Sequence, residues 1–188
     1  MSDGYLTGRV LIAMPGIDDP RFERAVILMC AHGEGHAMGL AVNRPIEGLS
    51  VSRLLGKLSV KTPAKPLDNL VLMGGPMETE RGFVLHTDDY AGPGGRVPIP
   101  GGLALTATRE ILEAMAAAAP HPRRAAMALG YAGWGASQLE SELLANLWLT
   151  CEADEGLLFD DDHAHKWSRA LAKLGVSAEN LSAQAGRA

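Results

Sequence analysis

The chain has 188 residues and a formal net charge of −5, with 47% hydrophobic, 5% aromatic and 21% charged residues. That length suits one domain with a sizeable core, and the 17 Lys and Arg, spread along the chain against 22 Asp and Glu, offer a phosphate backbone no concentrated basic partner. Gly at 22 residues and Pro at 11 favour short strands joined by tight turns over a helical bundle.

Val10 to Met14 reads as a first apolar strand, stopped by Pro15-Gly16 and the turn at Asp18-Asp19-Pro20. The second strand, Ala25 to Ala31, is the longest apolar run and falls far short of the ~20 residues that span a bilayer. Met1 to Gly8 also lacks the charged start and apolar core of an export signal. Cys30 and Cys151 lie in apolar strand patterns that suit reduced, buried thiols, so the chain is expected in the cytoplasm without membrane contact. His32 to His36 is rich in turn formers and Met38 to Asn43 is a third strand, which makes a hairpin. Leu49 to Leu58 places Val51, Leu54, Leu55 and Leu58 at helical spacing, with Ser50 as the cap. Strands follow at Leu70–Met73, before the Gly74-Gly75-Pro76 turn, and at Gly82–Thr87. Asp88 to Gly95 is expected to be the most mobile loop. After short strands at Val97–Ile99 and Leu103–Leu105, a helix starts at Thr106 or Thr108, turns Ile111, Leu112, Met115 and Ala119 to one face, and ends at Pro120.

The segment from Ala125 to Cys151 reads as strand, glycine turn, helix and strand. Ala125 to Leu129 is the first strand, and Gly130, Gly133 and Gly135 turn the chain. Ser137 and Glu140 form a capping box ahead of a helix whose apolar face is Leu139, Leu143, Leu144 and Leu147. Leu149 and Cys151 then alternate with Trp148, Thr150 and Glu152 as a half-buried strand. The glycines run G-x-x-G-x-G, the reverse of a dinucleotide fingerprint, no phosphate-loop lysine follows, and Glu140 and Glu142 repel an anion at the helix start, so a nucleotide site is disfavoured. Gly156 to Asp160 turns the chain into a last helix with Asp160 to Asp162 at its N-terminal end, Trp167, Leu171 and Leu174 buried, and Gly175 as its stop. One domain over residues 1–175 and a loosely packed tail over 176–188 are expected.

Side chains able to carry chemistry are few. Cys30, His32, Glu34 and His36 alternate, but Gly33 and Gly35 reverse the chain between them and a second ligand pair is missing. Asp160, Asp161, Asp162, His163 and His165 could also hold a cation, yet a helix start accounts for them. Arg81-Gly82-Phe83 opens like an RNA-stacking motif and lacks its later aromatics, and direct nucleic-acid binding is disfavoured. No G-x-S-x-G elbow occurs. No catalytic residue, metal ligand or cofactor is assigned. Asn43, Arg44, His86 and Gln138 are the candidates for a polar pocket or an interaction surface, although His86, at the end of an apolar strand, is read more readily as a hydrogen-bonded edge histidine.

A resemblance covers nearly the whole chain. Gly130-Tyr131-Ala132-Gly133-Trp134, followed by Gln138-Leu139-Glu140, Glu142, Asn146 and Trp148, resembles the signature block of the AlgH/YqgE family of bacterial proteins. Gly8 to Pro15, Gly39-Leu40-Ala41-Val42-Asn43-Arg44-Pro45, Gly74-Gly75-Pro76, Gly82 to His86, Leu158-Phe159, Trp167 and Leu174-Gly175 are similar to that family in the same order. Gly135-Ala136-Ser137 departs from the Gly-Pro-Gly that the family often carries. The resemblance implies an α+β fold, a branched and mostly antiparallel sheet curled into a pseudo-barrel with about four packed helices. It implies no settled activity, since the family's transcriptional-regulator label is a genetic association. The expectation is a non-enzymatic regulatory or protein-interaction module with a protein partner. The alternative is a small-molecule binder or enzyme with its pocket near His86.

Overall fold

The computed structural model describes residues 5–60, 69–92, 94–116 and 121–185. Ten strands form one curled, largely antiparallel half-barrel sheet in the order β10-β1-β2-β3-β9-β6-β8-β7, with β4 and β5 branching from it. The strands are β1 Arg9–Ala13, β2 Val26–His32, β3 His36–Ala41, β4 Pro45–Ser50, β5 Leu70–Met73, β6 Met77–Thr87, β7 Arg96–Ile99, β8 Leu103–Thr106, β9 Ala125–Gly135 and β10 Trp148–Glu152.

Continuous apolar strands such as Val10-Leu11-Ile12-Ala13 are required because both faces of the sheet are covered. Val10, Ile12, Val26 and Leu28 enter one core with Leu157, Leu158, Trp167 and Leu171. Leu11, Ala13, Ile27 and Met29 enter another with Trp134, Leu139 and Trp148. A third core joins Val51, Leu54 and Leu55 to Val71, Val84, Ile111 and Met127. Trp148, expected on the outer face of a half-buried strand, is therefore 3% exposed.

The glycine turn expected after Leu129 is not a turn. β9 runs unbroken through Gly135 and is where the sheet branches: Ala128 pairs with Phe83 of β6 and Leu72 of β5, while Gly133 pairs with Met38 of β3. Gly130 supplies a φ of +75°, and the register against β6 shifts between Met77 and Gly82. Gly75 lets the backbones cross there, since a Cβ on it would lie 2.1 Å from the Tyr131 carbonyl carbon.

Six α-helices, more than the four expected, pack on this sheet among the described residues: α1 Val51–Lys57, α2 Arg109–Ala116, α3 Gln138–Leu144, α4 Glu155–Phe159, α5 Lys166–Lys173 and α6 Ala178–Ala185. Ser50 caps α1 as expected, its hydroxyl accepting from the Arg53 N–H at 3.1 Å. The Ser137–Glu140 capping box does not form. Ser137 sits at φ +61° without a side-chain cap, and Gln138 Oε1 accepts from the Gly135 N–H at 3.0 Å instead. Leu144, placed on the buried face by its spacing, is 86% exposed, because α3 ends there. The segment read as a turn at Gly156 is α4, capped by Asp154 accepting from the Leu157 N–H at 2.8 Å. The tail beyond residue 176 is not loose throughout: it carries α6, whose Leu181 is 7% exposed against the first core. Ala119 and Pro120, given the end of α2, lie outside the described residues.

Candidate functional site

The four residues expected around one pocket stand in three places. His86 on β6 is fully buried. Its Nδ1 lies 2.7 Å from the Thr87 carbonyl and so carries the proton, leaving Nε2 to accept from Thr106 Oγ1 at 2.8 Å. Burial pulls its pKa below the ordinary histidine value and keeps the ring neutral. The ring is a saturated strut between β6 and β8, the hydrogen-bonded histidine favoured by its strand position, and it stands apart from Asn43 and Arg44. Gln138 belongs to α3, where its side chain spans Gly135 and Glu142.

Asn43 and Arg44 do meet in a cleft. The β3–β4 connection places them opposite Glu23 and Arg24 and beside the 3-10 turn His163–His165 and the start of α5. The concavity is about 500 Å³. Asn43 shapes its wall, with Oδ1 accepting from the Val26 N–H at 3.0 Å and Nδ2 donating to the Arg24 carbonyl at 2.8 Å. Those bonds hold Arg24 at φ +55°, where its guanidinium lies 5.1 Å from the centre of the Trp167 ring. Trp167 is the buried floor and donates Nε1–H to the Ala13 carbonyl at 2.9 Å, whereas Glu23, Arg24, His165 and Ser168 form an exposed rim.

Arg44 donates from Nη2 to the Glu23 carbonyl, while its Nε is buried without a hydrogen-bond partner among the described residues. Desolvation is the leading influence on this guanidinium and lowers its pKa. His163 Nδ1 is likewise buried and unpartnered; desolvation and the neighbouring Lys166 charge lower that ring's pKa, and since the ring N–H is engaged by the Val42 carbonyl, Nδ1 is an acceptor. Lys166, which the sequence reading missed, is fully buried behind the cleft wall, donating to the Val42 carbonyl at 2.9 Å and the Leu158 carbonyl at 3.5 Å. Burial lowers its pKa to about 8. A lysine at a helix start carries no sequence signal for this position; the contact with Val42 spans 124 residues.

Several members of the two groups of metal-ligand types are engaged in structure. His32 Nδ1 accepts from the Leu6 N–H at 2.9 Å, so Nε2–H donates to Glu140 at 2.6 Å and neither nitrogen is free. The Cys30 thiol is pushed up to about 12 by burial. Asp160 pairs with Arg169 at 2.7 Å, Asp161 accepts from Asn69 Nδ2 at 3.0 Å, and His165 meets Asp162 at 2.7 Å. Among the described residues, no three such side chains converge as a metal site would need, and no helix is long and apolar enough to cross a membrane.

The AlgH-like family model matches residues 10–179. This chain belongs to that family. Among its relatives, a UPF0301 protein of Caulobacter vibrioides is 62% identical over 184 residues, covering 98% of this chain and 94% of the relative. One from Rhodospirillum rubrum is 47% identical over 186 residues, covering 99% and 96%. The solution structure of the Pseudomonas aeruginosa AlgH protein superposes with a TM-score of 0.79 at 40% identity, covering 97% of this chain and 96% of that one. A Corynebacterium diphtheriae protein shares the fold at a TM-score of 0.73 and 18% identity, covering 94% and 91%. The branched, curled sheet is thus the AlgH-like fold, in a family whose biochemical function is not established.

Proposed function

We propose that this AlgH-like chain is a non-enzymatic cytoplasmic module that acts by contact with a protein partner, and that the cleft of Arg24, Arg44 and Trp167 is the contact site. The observation that carries this reading is the lining itself: two guanidinium groups and an indole floor under an exposed rim. Arginine and tryptophan are the residue types on which interface energy concentrates. The hydroxyl of the cleft, Ser168 Oγ, donates to the His165 carbonyl at 3.0 Å and not to an imidazole, so that hydroxyl is not activated as a nucleophile. A role linked to transcription would then run through that partner, since a chain of net charge −5 is poorly suited to hold DNA directly. A photo-crosslinking amino acid at Ser168, introduced in the native cell, tests the assignment against the same probe at exposed Val97 on β7. A discrete protein adduct at residue 168 that disappears in Arg44→Gln is expected. Equal adducts at both positions, or adducts to nucleic acid alone, overturn it.

A further inference from the structure

Three cations approach the cleft from separate elements: Arg24 ahead of β2, Arg44 after β3 and Lys166 at the start of α5. Several other cations are paired, as Arg21 is with Asp19, Arg123 with Glu155, Arg169 with Asp160 and Lys173 with Asp154, and exposed Arg53 and Arg96 donate to carbonyls. These three make no ion-pair contact among the described residues. Arg24 rests on an indole, Arg44 and Lys166 donate to carbonyls, and Glu23 and Asp19 act on Arg44 at longer range. A buried ammonium bonded to neutral carbonyls, with Asp160, Asp161 and Asp162 acting on it at longer range, costs stability, and a buried guanidinium Nε without a partner adds to that cost. The ammonium and the guanidinium have one remedy, an acceptor that carries negative charge.

We infer that the cleft is an oxyanion site: a carboxylate or phosphoryl group presented by the partner accepts from Arg24 and Arg44, while Lys166 supplies compensating charge from behind the wall. The inference rests on the cleft being the contact site and adds what that site recognises. Guanidinium groups match the planar acceptor geometry of such anions. Burial of Lys166 leaves its charge less screened than that of an exposed lysine.

The test is an NMR titration of the full chain with potassium phosphate, and separately with acetate, at constant ionic strength, following the Arg Nε–H signals and the Trp167 indole. Saturable shifts are expected for at least one anion, weakened about tenfold in Arg44→Gln. In Lys166→Met, affinity should fall about threefold while the melting temperature holds or rises, a combination that a purely structural lysine would not give. Tighter binding of phosphate assigns a phosphoryl source, and equal or tighter binding of acetate assigns a carboxylate. Shifts that stay linear for both anions, or that are unchanged in Arg44→Gln, overturn the oxyanion site, and an unchanged affinity in Lys166→Met removes Lys166 from it. A partner adduct at Ser168 alongside linear titrations would leave the contact site standing and this inference refuted.

Discussion

Lys166 shows how a residue can cost the fold and still have a use. Its pKa is lowered to about 8 from 10.5, with burial opposed by Asp160, Asp161 and Asp162 and assisted by Arg169. Below pH 8 both folded and unfolded states hold the proton and this group adds no pH dependence. Between about 8 and 10.5 the unfolded chain binds the proton and the folded chain does not, so stability rises with pH through that window. Lys166→Met is therefore expected to stabilise the protein at pH 7 by about 1–3 kcal/mol and to flatten that rise, as urea denaturation at a series of pH values would reveal. Ser137 is the reverse case, a residue chosen by the capping rule that does not cap. At φ +61° with its hydroxyl unused as a cap, it is strained where glycine is not. Ser137→Gly should be stabilising by about 0.5–1 kcal/mol in thermal denaturation, where an operating capping box would predict no gain.

At the scale of elements, carboxylates and backbone turns connect what sequence order keeps apart. Glu142 on α3 accepts at Oε2 from the Trp134 Nε1–H of β9 at 2.7 Å and from the Trp148 Nε1–H of β10 at 3.0 Å, with Gln138 Nε2 on its other oxygen. One side chain thus locks a helix to two strands. Glu142→Ala leaves two partly buried indole N–H groups unpaired, and a loss of about 2–4 kcal/mol is expected in chemical denaturation, with a changed near-ultraviolet dichroism from both indoles. Three helices end alike. Ser59 after α1, Asn146 after α3 and Gly175 after α5 each take positive φ, and the amides of Val60, Leu147 and Val176 reach back to Leu55, Glu142 and Leu171. Gly175 was recognisable in the sequence by its type. Ser59 was not, since serine carries no αL preference and only the docking of Val60 into the third core holds it there.

For the molecule as a whole, closure of the sheet depends on close backbone approach at the branch of β9. A Cβ on Gly75 would fall 2.1 Å from the Tyr131 carbonyl carbon and 2.3 Å from the Ala132 nitrogen, both backbone atoms that cannot step aside. Gly75→Ala is expected to cost more than about 3 kcal/mol or to prevent folding, whereas Gly35→Ala, in open space at the β2–β3 hairpin, should stay within about 1 kcal/mol of the parent. Thermal melts of the two variants side by side check this.

Periodicity and apolar runs were enough to find most strands, the helices at Val51, Arg109 and Lys166 and the β2–β3 hairpin, because those features are local, and the ordered motif blocks were enough to place the chain in its family. Half of the cleft, Asn43 and Arg44, was legible as a polar patch at a strand end. Its other half was not. Arg24, His163, Lys166 and Trp167 reach it only because the curled sheet carries β2 and β3 under α5, and no local pattern encodes a contact across more than a hundred residues. For the same reason the side-chain partner of His86 was not legible: it is Thr106, delivered by pairing of β6 with β8. Sequence fixes the identity of a donor or acceptor, and packing alone decides whether it is already satisfied.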